Sequence, residues 1–218
     1  MSEIYKCSPS PFSKQSSESE RSNMHIYIEE KPDHAKTIKE YHVVMKGQER
    51  LKTIFLVEYY SEDSNENEII SDEKVLTQLF TRLNRFPVYL SFGLYELTDS
   101  EIEDVISTVK QRKLPYTQTS INKRETYMII EVNQPEDLLQ VLEKSLSLAS
   151  YNGYYLISLT NLLKFETRRT RRWFIKKERL VPVVDMTEPT TFLKIGFDFE
   201  NVLIFSNEAF FPEDEIEQ

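Results

Sequence analysis

Between Lys164 and Arg179 the chain reads KFETRRTRRWFIKKER, eight lysines or arginines against two glutamates, a local charge of +6. The whole chain of 218 residues carries −9, so this segment stands out against a strongly acidic background. It also holds the only tryptophan, Trp173, followed by Phe174. Guanidinium groups pair with carboxylates or phosphates through two parallel hydrogen bonds, and an adjacent aromatic ring anchors a protein surface or stacks on a base. Arg168, Arg169, Arg171, Arg172, Trp173, Lys176 and Lys177 are therefore predicted to form a partner-binding surface. Arg and Trp dominate protein–protein hot spots, so another protein is the predicted partner. Nucleic acid bound through 164–179 is the alternative. Three features count against it. The remaining residues are acidic and repel a polyanion. No nucleic-acid-binding motif surrounds the run. The stretch 198–218 has seven acidic and no basic residues, a ready counter-charge within or between chains.

Other chemistry-bearing residues are sparse. His25, His34 and His42 lie within eighteen residues, but spacings of nine and eight match no standard ligand motif and no cysteine accompanies them. They are read as surface or structural histidines. The acidic loop with Glu62, Asp63, Glu66 and Glu68, and the run Glu213, Asp214, Glu215 and Glu217, lack the glycine of a calcium loop. Only four glycines occur (Gly47, Gly93, Gly153, Gly196), too far apart for a phosphate-cradling loop, and there is no G-x-S-x-G elbow. Cys7, the single cysteine, sits in a Ser/Pro-rich stretch and is read as an ordinary thiol. No catalytic residues, metal ligands or cofactor site are predicted, and the chain is read as leaning away from an enzyme.

The elements that must position these residues follow from composition and periodicity. Hydrophobic residues make up 39% and aromatics 12% of the chain, enough for a packed core. No apolar run approaches the ~18–20 residues that span a bilayer, so no membrane association is expected. The opening MSEIYKCSPSPFSKQ has no apolar core of a secretory signal, and one cysteine permits no internal disulfide, so a cytoplasmic location is expected. Residues 1–23, with eight serines, are expected to be a flexible tail, 24–211 a single domain, and 212–218 an acidic tail. Two lobes meeting near 112–125 or 150–162 are an alternative division.

Apolar alternation predicts strands at 24–28, 53–60, 88–97, 115–121, 126–132, 154–160, 180–184, 191–197 and 200–205. Residues 29–50 are polar and ambiguous. The spacing of Val75, Leu76, Leu79, Phe80 and Leu83 predicts a helix over 72–84, capped by Ser71. Thr98-x-x-Glu101 is a capping box for a second helix, and Pro135 opens a third whose buried face is Leu138, Leu139, Leu142, Leu146 and Ala149. The 122–125 turn joins two strands as a hairpin. Residues 161–176 fit either strand or helix. The units 53–60/72–84/88–96 and 126–132/136–149/154–160 echo one another in order and length, an echo that helical spacing alone explains. The fold class is α+β, a mostly antiparallel or mixed sheet covered by about three amphipathic helices, with a strand-rich C-terminal third. The function expected is that of a non-catalytic intracellular binding protein, such as a regulator, an inhibitor or immunity-type protein, or an assembly factor, acting by surface docking.

Overall fold

The structure, a computed structural model, describes residues 5–6, 24–30, 43–61, 71–94, 98–122, 125–149, 155–172, 175–195 and 202–208. It is an α+β fold. Its strands are β1 (Tyr5–Lys6), β2 (Met24–Glu30), β3 (Val44–Lys46), β4 (Thr53–Ser61), β5 (Val88–Gly93), β6 (Tyr116–Asn122), β7 (Glu125–Val132), β8 (Tyr155–Ser158), β9 (Leu163–Arg172), β10 (Ile175–Asp185), β11 (Thr191–Ile195) and β12 (Val202–Ser206). Its helices are α1 (Asp72–Arg82), α2 (Asp99–Gln111) and α3 (Pro135–Ser145). A nine-stranded antiparallel sheet runs β1-β2-β4-β12-β11-β8-β5-β7-β6, and a three-stranded sheet runs β3-β10-β9. Strands on both sides of 112–125 and of 150–162 belong to the larger sheet. Within 1–23, Tyr5 and Lys6 pair with Ile28 and Tyr27, a pairing the tail reading did not include. The other residues of 1–23, and those of 212–218, lie outside the described residues.

The local signals act largely as their chemistry dictates. The Thr98 hydroxyl accepts from the Glu101 amide while the Glu101 carboxylate accepts from the Thr98 amide at 2.8 Å, closing the capping box of α2. Ser71 does stand at the N-cap of α1, but its side chain makes no capping bond. Instead its carbonyl accepts from the Lys74 and Val75 amides, and Asp72 and Glu73 in the first turn oppose the positive end of the dipole. On α3, Leu138, Val141, Leu142 and Ser145 are the buried residues, whereas Leu139 is half-buried.

Side-chain alternation sorts the larger sheet into two buried faces. Val88, Leu90 and Phe92 of β5, Met128, Ile130 and Val132 of β7, and Leu193 and Ile195 of β11 pack under the three helices. Their neighbours Tyr127, Leu156, Phe192, Leu203 and Phe205 face the smaller sheet, against Leu163, Leu180, Val184 and Met186. The molecule is thus three layers, helices on one face of the large sheet and the small sheet on the other. Strands β8, β11 and β12 are accordingly buried at every position, on both faces. Each fully buried Leu, Ile or Phe contributes about 1.5–3 kcal/mol relative to exposure.

The two units that echo one another in the sequence are not equivalent in the sheet, and a different pair of units is. Strands β5-α2-β6-β7-α3-β8 make a β-α-β-β-α-β unit with spatial order β8-β5-β7-β6, the split β-α-β or ferredoxin-like arrangement. Its two halves are β5-α2-β6 and β7-α3-β8. The first echoing unit, built on 53–60 and α1, is not equivalent to the second. Strands β4 and β5 are separated by β12, β11 and β8, whereas only β5 lies between β7 and β8. Similar helical spacing made two different crossovers look alike.

Candidate functional site

The basic segment forms a long two-stranded ribbon. The open question over 161–176 resolves as strand at 163–172 and 175–176: β9 and β10 pair antiparallel from Arg172 opposite Ile175 to Leu163 opposite Val184. Strand β10 begins five residues earlier than the apolar signal at 180 indicated, because cross-strand pairing extends a strand through polar residues that carry no hydrophobic pattern. Pro182 lies in this strand although β10 is central. Strand β3 pairs only with Val183–Asp185, so the missing N–H falls beyond the reach of its ladder.

The ribbon has a packed base and a basic distal half. At the base, Leu163, Phe165, Leu180 and Val184 pack on the large sheet, and the Phe165 ring lies 4.6 Å from that of Tyr127 on β7. On the opposite face, Lys46 of β3 forms an ion pair with Glu166. The Lys46 hydrogen bond holds the Glu166 carboxyl below its ordinary range, helped by the charges of Lys46, Arg168 and Lys164. Asp185, in register with Lys46, is the second acid of this face, and the Thr187 hydroxyl and amide hold its carboxyl below the ordinary range. Lys164 and Arg168 are exposed.

Beyond the base the register sets like charges against each other. Arg168 stands opposite Arg179, and Arg171 opposite Lys176, while Lys177 faces Thr170. Arg169 faces Glu178, and Arg172 faces Ile175. Of the seven residues named from sequence, six lie on this hairpin; Trp173 lies outside the described residues. Arg179 was not among the seven. Only the cross-strand register, which a linear count of charges does not contain, brings it opposite Arg168.

Among the described residues no three His, Cys, Asp or Glu side chains come together as a metal group. His34, His42 and Cys7 lie outside the described residues, as do most of the acidic loop after Ser61 and all of the acidic run from 213. No helix of the described residues is long and apolar enough to cross a membrane. The buried polar groups near the turns are structural. The Asn207 amide donates to the Met186 and Glu188 carbonyls, while its carbonyl accepts from the Thr190 amide at 2.7 Å, clasping the 186–190 turn. Comparison with known proteins finds no matching family model, no matching curated protein and no matching solved structure.

Proposed function

We propose that this protein is a non-catalytic binding protein that docks on another protein through the β9–β10 ribbon, as a regulator, inhibitor or assembly factor. What supports this is the in-register opposition of Arg168 to Arg179 and of Arg171 to Lys176. Like charges directly opposed on a ribbon are destabilising; the two pairs lie on opposite faces, and each gains from anionic groups brought to its face. An acidic protein surface supplies carboxylates for two-point pairing with arginine. Rim charges then set the rate of encounter and central anchors the rate of release. The compartment is proposed to be the cytoplasm.

A second reading has its own supporting observation. A basic two-stranded ribbon is a shape that the major groove of DNA admits. The two readings separate by salt. A ribbon that neutralises phosphates loses affinity with a log–log slope of about one unit per phosphate contacted. Titration of the full chain with random-sequence duplex DNA and single-stranded RNA is expected to give no binding at physiological salt. Tight binding with a steep salt slope would transfer the ribbon to nucleic acid.

A further inference from the structure

The large sheet ends in an open edge whose hydrogen-bonding groups can be assigned. The Leu94 amide donates to the Thr126 carbonyl at 2.8 Å, so the main-chain groups of Thr126 point away from β6, toward β5. The Glu131 amide donates to the Pro115 carbonyl at 2.9 Å, so those of Glu131 point toward β6. In an antiparallel pair, hydrogen-bonded and non-bonded positions alternate. With Ser120 opposite Thr126, Gln118 opposite Met128 and Tyr116 opposite Ile130, these three β6 residues occupy the non-bonded positions. Their N–H and C=O groups therefore face outward, while Thr117 and Thr119 hold the ladder to β7.

Among the described residues this edge has none of the usual protections. Sheet edges are ordinarily blunted by charge, proline, brevity or a covering element. Strand β6 reads YTQTSIN, seven residues without a charge or a proline, in a chain with 29% charged residues. Tyr116 through Ser120 are all exposed, and Tyr116 is the one large apolar side chain found exposed among the described residues, at 38%. The single irregularity, between Ser120 and Asn122, leaves Tyr116–Ser120 in regular register.

The surroundings of the edge are basic. Lys110 and Lys113 are exposed just before β6, and Lys123 and Arg124 follow it in the chain. Strand β10 contacts β6, and Ile121 packs against the core cluster that includes Leu180, as Phe165 does. Two copies of β6 paired antiparallel would bring the cations at the start of one strand beside those at the end of the other. A partner strand with acidic ends meets opposite charge at both.

We propose that β6 is a strand-addition site: an extended, acidic-ended segment of another protein pairs with the outward main-chain groups of Tyr116, Gln118 and Ser120. Main-chain bonds supply affinity in such docking, and the flanking charges supply selection. The acidic character of the partner rests on the docking function proposed above; strand addition itself does not.

The test uses the full chain, isotope-labelled, and extended peptides of alternating threonine and valine that end in glutamates or in lysines. Resonances of the Tyr116, Gln118 and Ser120 amides are expected to shift with the glutamate-ended peptide, which should bind roughly tenfold tighter than the lysine-ended one. Gln118→Pro removes an outward donor, keeps the β7 ladder, and should weaken binding by about tenfold. N-methylation of the peptide at alternate residues provides the same test without altering the protein: one of the two registers should lose binding. Strand addition is overturned if the β6 amides do not shift, or if neither Gln118→Pro nor either N-methylated register weakens binding. If hairpin amides shift instead, strand addition fails while docking on the ribbon stands. Equal binding of the two peptides at β6 overturns the acidic partner and keeps the edge. A concentration-dependent dimer that Gln118→Pro dissolves would make the occupant a second copy and also overturn the proposal.

Discussion

Arg168 stands directly opposite Arg179 on the β9–β10 ribbon, two guanidinium-bearing residues in register with nothing between their backbone positions but the ladder itself. One register step toward the base, Thr167 opposes Leu180, whose side chain is buried in the core between the sheets. Successive pairs alternate faces, so the core-facing pair and the like-charge pair lie on opposite sides of the ribbon.

Reversing one of these charges should separate stability from binding. Arg179→Glu turns a repulsive cross-strand pair into an attractive one, expected to add about 0.2–1 kcal/mol of stability. For a chain of this size that is a rise in Tm of up to about 2–4 °C. Partner binding should weaken in the same variant. Calorimetry beside a binding assay checks both, and a loss of stability with binding intact would mean the ribbon is a structural element only.

The Tyr155 hydroxyl lies 2.7 Å from the Ser145 hydroxyl, in the core beneath the helices, with its ring stacked 5.1 Å from Phe92. Ser145 also donates to the Val141 carbonyl. The two substitutions at this contact are therefore unequal. Tyr155→Phe leaves Ser145 a partner and should cost about 0.5–1.5 kcal/mol. Ser145→Ala strands a fully buried phenol and should cost about 1–3 kcal/mol. Burial also drives the Tyr155 phenol far above its ordinary value, so its ionisation should be seen only as the protein unfolds in alkali. Denaturant unfolding and ultraviolet titration measure these effects.

The capping box gives an acid-side prediction. Bonds from the Thr98 amide and hydroxyl hold the Glu101 carboxyl below 4.5. The native state thus binds fewer protons than the unfolded chain in this range. The stabilisation is complete above the unfolded value and is lost as pH falls through the folded one. Thr98→Ala should cost about 1 kcal/mol at neutral pH and flatten part of the decline in Tm below pH 4.5. An unchanged acid profile would show that the Thr98 hydroxyl contributes nothing to linkage, the backbone amide bond being kept.

Lys194 gives a rise of stability with pH at the alkaline end. It is 8% exposed, shares a register row with Leu156 and Leu203, and burial pushes its ammonium below 10.5. Between its folded value and 10.5 the unfolded chain binds more protons, so stability rises with pH across that window. Lys194→Met should remove this rise. Melting curves from neutral pH upward check it, and an identical slope in the variant would assign the rise to other groups.

Much of this architecture is legible in the residues themselves. The helix faces, the capping box and the β6–β7 hairpin follow from periodicity and short-range chemistry, which act within a few neighbouring residues. Strand β10 was under-read because Ile175–Arg179 has no apolar pattern and is extended by pairing with β9. The β5-α2-β6 and β7-α3-β8 halves are not visible in the residues because the sheet order that makes them equivalent is a long-range property. The ribbon's charge was visible as a run of letters. Its division into a packed base and an opposed, basic distal half needed the register. The β6 edge was not singled out at all: YTQTSIN looks like any polar strand until its place at the end of the sheet is known.

Capture from native lysate is the most direct test of docking through the ribbon. The tagged full chain and its Arg168→Ala, Arg169→Ala, Arg171→Ala, Arg172→Ala variant would be compared with and without nuclease, and the bound material identified by mass spectrometry. The expected result is one stoichiometric protein that survives nuclease with the natural chain and is lost with the variant. Partners that vanish with nuclease, or an identical set held by the variant, would contradict a protein-docking ribbon.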